Sequence, residues 1–303
     1  MANARSGEEP GERRGPGRGI AGLGRALLLL GLISMSMACN ANAGSDAPAL
    51  VARAEKGNSH SEQRRRPAAD GKSPYGQNPA EYVLTFSEEF DRFDRSRWND
   101  HIWYERSNPS INYAVEDGML KIWPQRDASG RFFNRTIDTD GHFYQQYGYF
   151  EMEAKLPRGK GTWPAFWLFA HPGKRRPEID IMEAYAGGVA PWGFADGDGI
   201  ARPKSYGITI WHDKDLRAGG EKHDSHGDLS THFHRYAVKW EPDRQTFYFD
   251  GKQVYTLRVY MPDPMYILLD LWFGSASGEP DEDTPEGKDN SYEIKYVRAW
   301  QFR

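Results

Sequence analysis

Beyond residue 80 the chain is built of short segments whose side chains alternate between apolar and polar, the two-residue period of a β-strand. Tyr82-Val83-Leu84-Thr85-Phe86, Met119-Leu120-Lys121-Ile122-Trp123 and the run from Tyr147 to Lys155 are early cases; Arg235 to Trp240, Thr246 to Asp250 and Tyr292 to Trp300 come later. Turn pairs stand between them: Asp117-Gly118, Asp140-Gly141 and Asp250-Gly251. Asp250-Gly251, between Phe247-Tyr248-Phe249 and Gln253-Val254-Tyr255, predicts a tight hairpin. No helical stripe exceeds two turns and no internal repeat is present. The pattern predicts an all-β sandwich of two antiparallel sheets.

The first part of the chain follows a different pattern. Arg5, Arg13, Arg14, Arg18 and Arg25 precede an apolar run, Ala26 to Ala38, which is too short to span a bilayer as a helix. A basic leader, a short apolar core and then small residues describe a secretory signal over residues 1–43. Two endings fit it. Ala41-Asn42-Ala43 suits an ordinary signal peptidase, whereas Ser36-Met37-Ala38-Cys39 resembles a lipobox that would leave Cys39 lipidated and membrane-attached. The expected location is therefore secreted, periplasmic or anchored at the bacterial surface. Cys39 is the only cysteine, so no disulfide forms within the chain and the fold rests on its core. Residues 44–75 are polar, contain Arg64-Arg65-Arg66 and read as a disordered linker. All 10 Trp lie beyond residue 97, and residues 76–303 are enough for one large β domain, taken as a monomer. The net charge of −4 argues against nucleic acid as a partner.

Against this pattern Glu178-Ile179-Asp180-Ile181-Met182-Glu183 stands out, with three carboxylates in apolar company. Strand alternation points Glu178 and Asp180 to one face, about 6.5–7 Å apart, and would send Glu183 to the other. One extra residue, a β-bulge at Ile181-Met182, returns Glu183 to the same face. Clustered acids repel one another, so such a strand costs stability unless a metal or a reaction uses it. Calcium loops favour Gly and Asn between ligands rather than Ile and Met. A two-metal hydrolase would want a nearby histidine, and the nearest, His171, sits before Gly173 in a loop. Two carboxylates about 5–5.5 Å apart can instead carry out retaining glycoside hydrolysis, and Glu178 and Glu183 are the candidates. The run Trp163-Pro164-Ala165-Phe166-Trp167 supplies flat aromatic faces of the kind sugar rings stack on.

The chain resembles glycoside hydrolase family 16, whose bulged motif Glu-x-Asp-x-x-Glu matches Glu178, Asp180 and Glu183. The resemblance runs from about residue 82 to 302. It takes in Phe86-Ser87-Glu88-Glu89-Phe90-Asp91 with Trp98-Asn99, Gly148-Tyr149-Phe150-Glu151 and Gly161-Thr162-Trp163. Phe233-His234-Arg235-Tyr236, Phe249-Asp250-Gly251 and Tyr296-Val297-Arg298-Ala299-Trp300 complete it. It implies a β-jelly-roll with a concave substrate cleft and retaining, endo-acting cleavage of a β-linked polysaccharide. By this match Glu178 is the nucleophile, Asp180 the assisting acid and Glu183 the general acid/base.

For the substrate subsites the resemblance points to Trp163 beside the reacting sugar, to Asn112 as a sugar contact and to His212 lining the cleft. Trp272 resembles a platform Trp of the lichenan-cleaving branch, which carries Asn where this chain has Asp270. Trp167 is a further substrate candidate, with core packing as the competing account. His223, His226, His232 and His234 have ligand-like spacing, but residues 221–230 read as a loop and His234 as structural, so no metal is expected there. Family members often bind a structural calcium through an Asp of the last strand. This chain has the cation Lys295 in its place, which argues against calcium and for no cofactor. The expected activity is a secreted endo-glycosidase acting on β-1,3 or mixed β-1,3-1,4 linkages in glucans or bacterial exopolysaccharide. A laminarin-type β-1,3-glucanase and a non-catalytic polysaccharide-binding protein on the same scaffold are the alternatives, and the intact acid set argues against the second.

Overall fold

The computed structural model describes residues 71–170, 177–212 and 216–303. The leader, Cys39, the arginine run and His171 lie outside the described residues. The described strands, in chain order, begin with β1 (Tyr82–Glu88), β2 (Tyr113–Glu116), β3 (Met119–Ile122), β4 (Arg135–Asp138) and β5 (Gly148–Lys155). Next come β6 (Thr162–Phe169), β7 (Glu178–Ala184), β8 (Gly193–Ala195), β9 (Ala201–Pro203), β10 (Ser205–Trp211) and β11 (Arg217–Asp224). The last are β12 (His234–Glu241), β13 (Arg244–Phe249), β14 (Lys252–Leu257), β15 (Tyr266–Phe273) and β16 (Tyr292–Phe302).

They form two antiparallel sheets and a small hairpin, β8-β9. One sheet runs β14-β13-β12-β5-β16-β3-β2, with β1 also paired to β16; the other runs β11-β10-β7-β6-β15-β4. The expected jelly-roll sandwich is the observed fold. The turn pairs act as alternation predicts. Asp117-Gly118 joins β2 to β3 and Asp250-Gly251 joins β13 to β14, each pair with both residues at positive φ, the backbone of a tight hairpin turn.

The core lies between the sheets. Phe150 and Met152 of β5 and Val297 and Ala299 of β16 meet Phe166 and Leu168 of β6 and Ile179 and Ile181 of β7, all fully or almost fully buried. The opposite face of the six-stranded sheet carries a separate set: Ala165, Trp167 and Phe169 of β6, and Tyr266 and Leu268 of β15.

Two boundaries differ from the sequence reading. Composition assigned residues up to 75 to a linker, yet the Tyr75 N–H donates to the buried Glu151 carboxylate at 3.0 Å, and Trp300 Nε1 donates to the Lys72 carbonyl at 2.9 Å. Residues 72–75 are thus packed on the eight-stranded sheet. Residues 221–224, read as loop, continue β11, because backbone pairing to β10 outweighs their polar composition.

Candidate active site

Both neighbours of β7 record one extra residue in it. On the β6 side Trp167 faces Asp180 and Phe166 faces Met182, so Ile181 has no partner. On the β10 side Thr209 faces Asp180 and Gly207 faces Glu183, so one residue, Ile208, is set against two, Ile181 and Met182. Ile179, Ile181, Met182 and Ala184 enter the core cluster, leaving Glu178, Asp180 and Glu183 to the outer face. The physical cause is local. Ile181 and Met182 are both apolar and both find space in the core, and two consecutive inward residues require a break in the period.

The acids differ in setting. Asp180 is 4% exposed and Glu178 9%, whereas Glu183 is more open. Glu178 lies between Phe169 and Trp211 in the sheet. One oxygen of Glu183 accepts from Trp163 Nε1 and from the Tyr185 hydroxyl, both at 3.2 Å. Burial, reinforced by the charges of Glu183 and Asp180, holds the Tyr185 hydroxyl well above the usual tyrosine range, so it stays a donor.

Aromatic rings line the end of the sheet around Glu183. Trp163 lies 5.5 Å from Trp272, edge to face at 86°, and 5.8 Å from Tyr185, which in turn meets Trp192 at 4.8 Å. The Trp272 indole N–H donates to Thr136 Oγ1 at 2.9 Å, which fixes its ring. Trp163 and Trp272 are partly exposed, as a sugar platform must be.

Other expected subsites lie elsewhere. Asn112 is fully buried; its amide oxygen accepts from Arg135 Nε at 2.7 Å and its NH2 donates to the Trp123 carbonyl at 2.9 Å. Its side chain supports Arg135 and is not open to a sugar. His212 is exposed one residue past β10, and the outer face of that strand presents Gly207, Thr209 and Trp211 instead. Trp167 is on the outer face but only 8% exposed, and its indole N–H donates to Asp270.

Asp270 is the acid that spacing did not reveal. It is 2% exposed on β15 and faces Ala165, which on its other side faces Glu183. Burial pushes its carboxyl well above the ordinary aspartate range. The Trp167 N–H opposes that shift, and the charges of Glu183, Glu105 and Glu178 add to it. The site therefore contains a fourth carboxyl, which holds its proton more tightly than an ordinary aspartate does.

The expected calcium position does not fit a cation. The Lys295 ammonium is 2.8 Å from Glu153 and 4.0 Å from the Phe233 ring centre. Among the described residues no group of three or more His, Cys, Asp or Glu is arranged to hold a metal. His234 Nδ1 donates to the Asp250 carboxylate at 2.8 Å, and the ring stacks on Phe249, a structural role.

Comparison with known proteins agrees with this geometry. Residues 99–298 match the sequence profile of the glycosyl hydrolases family 16. Among curated relatives, the endo-1,3-1,4-beta-glycanase EglC of Rhizobium meliloti (strain 1021) is 27% identical over 224 residues, 69% of this chain and 44% of EglC. ExsH of the same organism, also an endo-1,3-1,4-beta-glycanase, is 29% identical over 218 residues, 68% of this chain and 43% of ExsH. The chain thus spans less than half the length of either. Among solved structures, SCLam, a non-specific endo-beta-1,3(4)-glucanase, superposes with a TM-score of 0.60 at 26% identity, covering 74% of this chain and 93% of SCLam. The catalytic domain of a Thermotoga petrophila RKU-1 laminarinase gives 0.59 at 25%, covering 74% and 99%.

Proposed function

The chain belongs to glycosyl hydrolases family 16, and we propose that it is a retaining endo-β-glucanase. Its substrate in this reading is a glucan or bacterial exopolysaccharide with β-1,3 or mixed β-1,3-1,4 linkages. The observation that carries the proposal is the bulge in β7, which sets Glu178, Asp180 and Glu183 on one face beside partly exposed Trp163 and Trp272.

Glu178 acts as nucleophile. Its carboxylate attacks the anomeric carbon while Glu183 gives a proton to the departing glycosidic oxygen. Glu183, now a carboxylate, then takes a proton from water, whose oxygen displaces Glu178 and restores the starting configuration. Asp180, on the same face between them, assists by holding the nucleophile and sharing its proton. Trp163 and Tyr185 hold one oxygen of Glu183 throughout. No metal takes part. In this reading the enzyme is secreted or anchored through Cys39, which the signal-like leader supports, and acts as a monomer.

Glu178→Gln tests the assignment. Hydrolysis should drop by at least ~10³-fold while polysaccharide binding persists. Survival of a tenth of the rate removes Glu178 as nucleophile, and an inverted first product in proton NMR removes the double displacement. A laminarin-type β-1,3-glucanase is the second reading, favoured by the structural likeness to the Thermotoga laminarinase. Parallel rates on laminarin, lichenan and a succinoglycan-like polymer separate the two.

A further inference from the structure

The connection between β1 and β2 carries exposed aromatics on an unusually fixed base. Arg135, 1% exposed, donates from Nη1 to the Asp100 carbonyl at 2.8 Å and from Nη2 to the carbonyls of Asn108 and Ser110 at 3.1 and 2.6 Å. A single guanidinium thus holds both feet of the loop over residues 100–110, and Asn112 holds the guanidinium. Such fixed donor geometry is what a planar guanidinium supplies and a lysine does not.

The loop is also pinned at its start. Ile102 is fully buried in the outer-face cluster that contains Trp167, Phe169, Tyr266 and Leu268. Glu105 stands near enough to Asp270 to raise its carboxyl, and Tyr104 acts in the same way on Tyr266. The loop therefore lies over β15 on the face that carries the acids. Next to the buried Ile102, Trp103 is 45% and Tyr104 51% exposed, their rings edge to face at 86° and 5.1 Å apart. Folding usually hides two adjacent large rings; here their neighbour is buried and they face outward on a rigid loop.

We propose that Trp103 and Tyr104 form a distal sugar-binding platform, held by the Arg135 clamp, for units of the polysaccharide beyond the reacting sugar. The occupant follows from continuity with the cleft. β15 is two strands from the acid strand, ~10 Å across the sheet, so a chain laid across the strands over the acids meets the loop next. The apolar faces of pyranose rings match exposed indole and phenol rings, as Trp163 and Trp272 do nearer the acids. The inference rests on the polysaccharide reading of the site.

Trp103→Ala, at an exposed position, tests the platform through substrate length. Its kcat/KM on the polymer should fall about tenfold and on a tetrasaccharide by less than about twofold, with Trp103→Phe restoring most of the loss. Equal losses on both substrates, or none on the polymer, overturn the platform. Affinity electrophoresis through lichenan, laminarin or succinoglycan-like gels supplies a readout without turnover, in the Glu178→Gln background. Retardation that Trp103→Ala abolishes supports the platform. Retardation that it leaves intact refutes the platform alone. A wild type that hydrolyses none of these polymers refutes the proposed reaction, and the gels still decide the platform; no retardation of the parent overturns it too.

Discussion

Asp270→Asn isolates one consequence of the site that can be calculated. Asp270 is 2% exposed and its carboxyl is raised well above the usual range, first by burial and then by the charges of Glu183, Glu105 and Glu178. In the unfolded chain an aspartate loses its proton near pH ~3.9. The folded chain keeps it to higher pH, so folding takes up a proton across that window. The raised folded value fixes the sign: the stabilising contribution is whole below pH ~4 and is lost as pH rises towards the folded value, at ~1.4 kcal/mol per pH unit. As pH rises above ~4 the wild type should therefore lose stability relative to the asparagine variant, at no more than ~1.4 kcal/mol per pH unit. The amide oxygen still accepts from Trp167, so the substitution changes proton binding more than packing. Glu151, pushed up to about 7 by burial, and Glu105 and Asp138, also raised by burial, act in the same direction in both proteins and cancel in the difference.

Guanidinium unfolding of both proteins at pH 5, 6 and 7 gives the two slopes directly. Parallel slopes would show that Asp270 is ionised in the folded state and refute the argument. Activity supplies an independent check. Asp270 and Glu183 flank Ala165 on either side, two strand spacings or ~10 Å apart, where two charges at an effective dielectric near 20 repel by ~1.7 kcal/mol. If Asp270 were ionised, removing its charge would move the alkaline limb of the pH–rate profile down by more than ~1 unit. An Asp270 that keeps its proton predicts no movement of that limb.

Tyr185→Phe removes a donor to Glu183 and should lower kcat about tenfold with KM within about twofold; a KM effect at unchanged kcat would instead make Tyr185 a substrate contact. Deleting Met182 removes the extra residue: Glu183 then follows Asp180 by two positions, stays on the outer face and still faces Ala165, while Ile181 comes opposite Phe166. A folded deletion variant should keep more than about a tenth of the rate, and one whose hydrolysis is abolished would refute the register account of how Glu183 is placed.

The sequence and the structure part company where a side chain's role depends on a distant partner. The acid strand was readable because its signal is local: a two-residue period broken by one apolar residue, which the registers on both sides now record. The strand period also contained the correction to His212, since Gly207, Thr209 and Trp211 share the outer phase of β10 and His212 falls out of it. Asn112 could not be read this way. Its amide is claimed by Arg135, twenty-three positions later, and neither residue's spacing betrays the other. Trp167 has the right phase for the sugar-facing surface, yet Ile102, from a loop sixty-odd residues earlier, shares its cluster and helps to close it over. Asp270 shows the same limit from the opposite side. Read in sequence it is an acid replacing an amide, and only the burial contributed by neighbouring strands raises its carboxyl well above the ordinary aspartate range. Local period thus places the three candidate acids, while the surface beside them includes a loop that one buried arginine fixes at both ends. Substrate choice on this scaffold should accordingly change with substitutions in residues 100–110 far more readily than with any in β7.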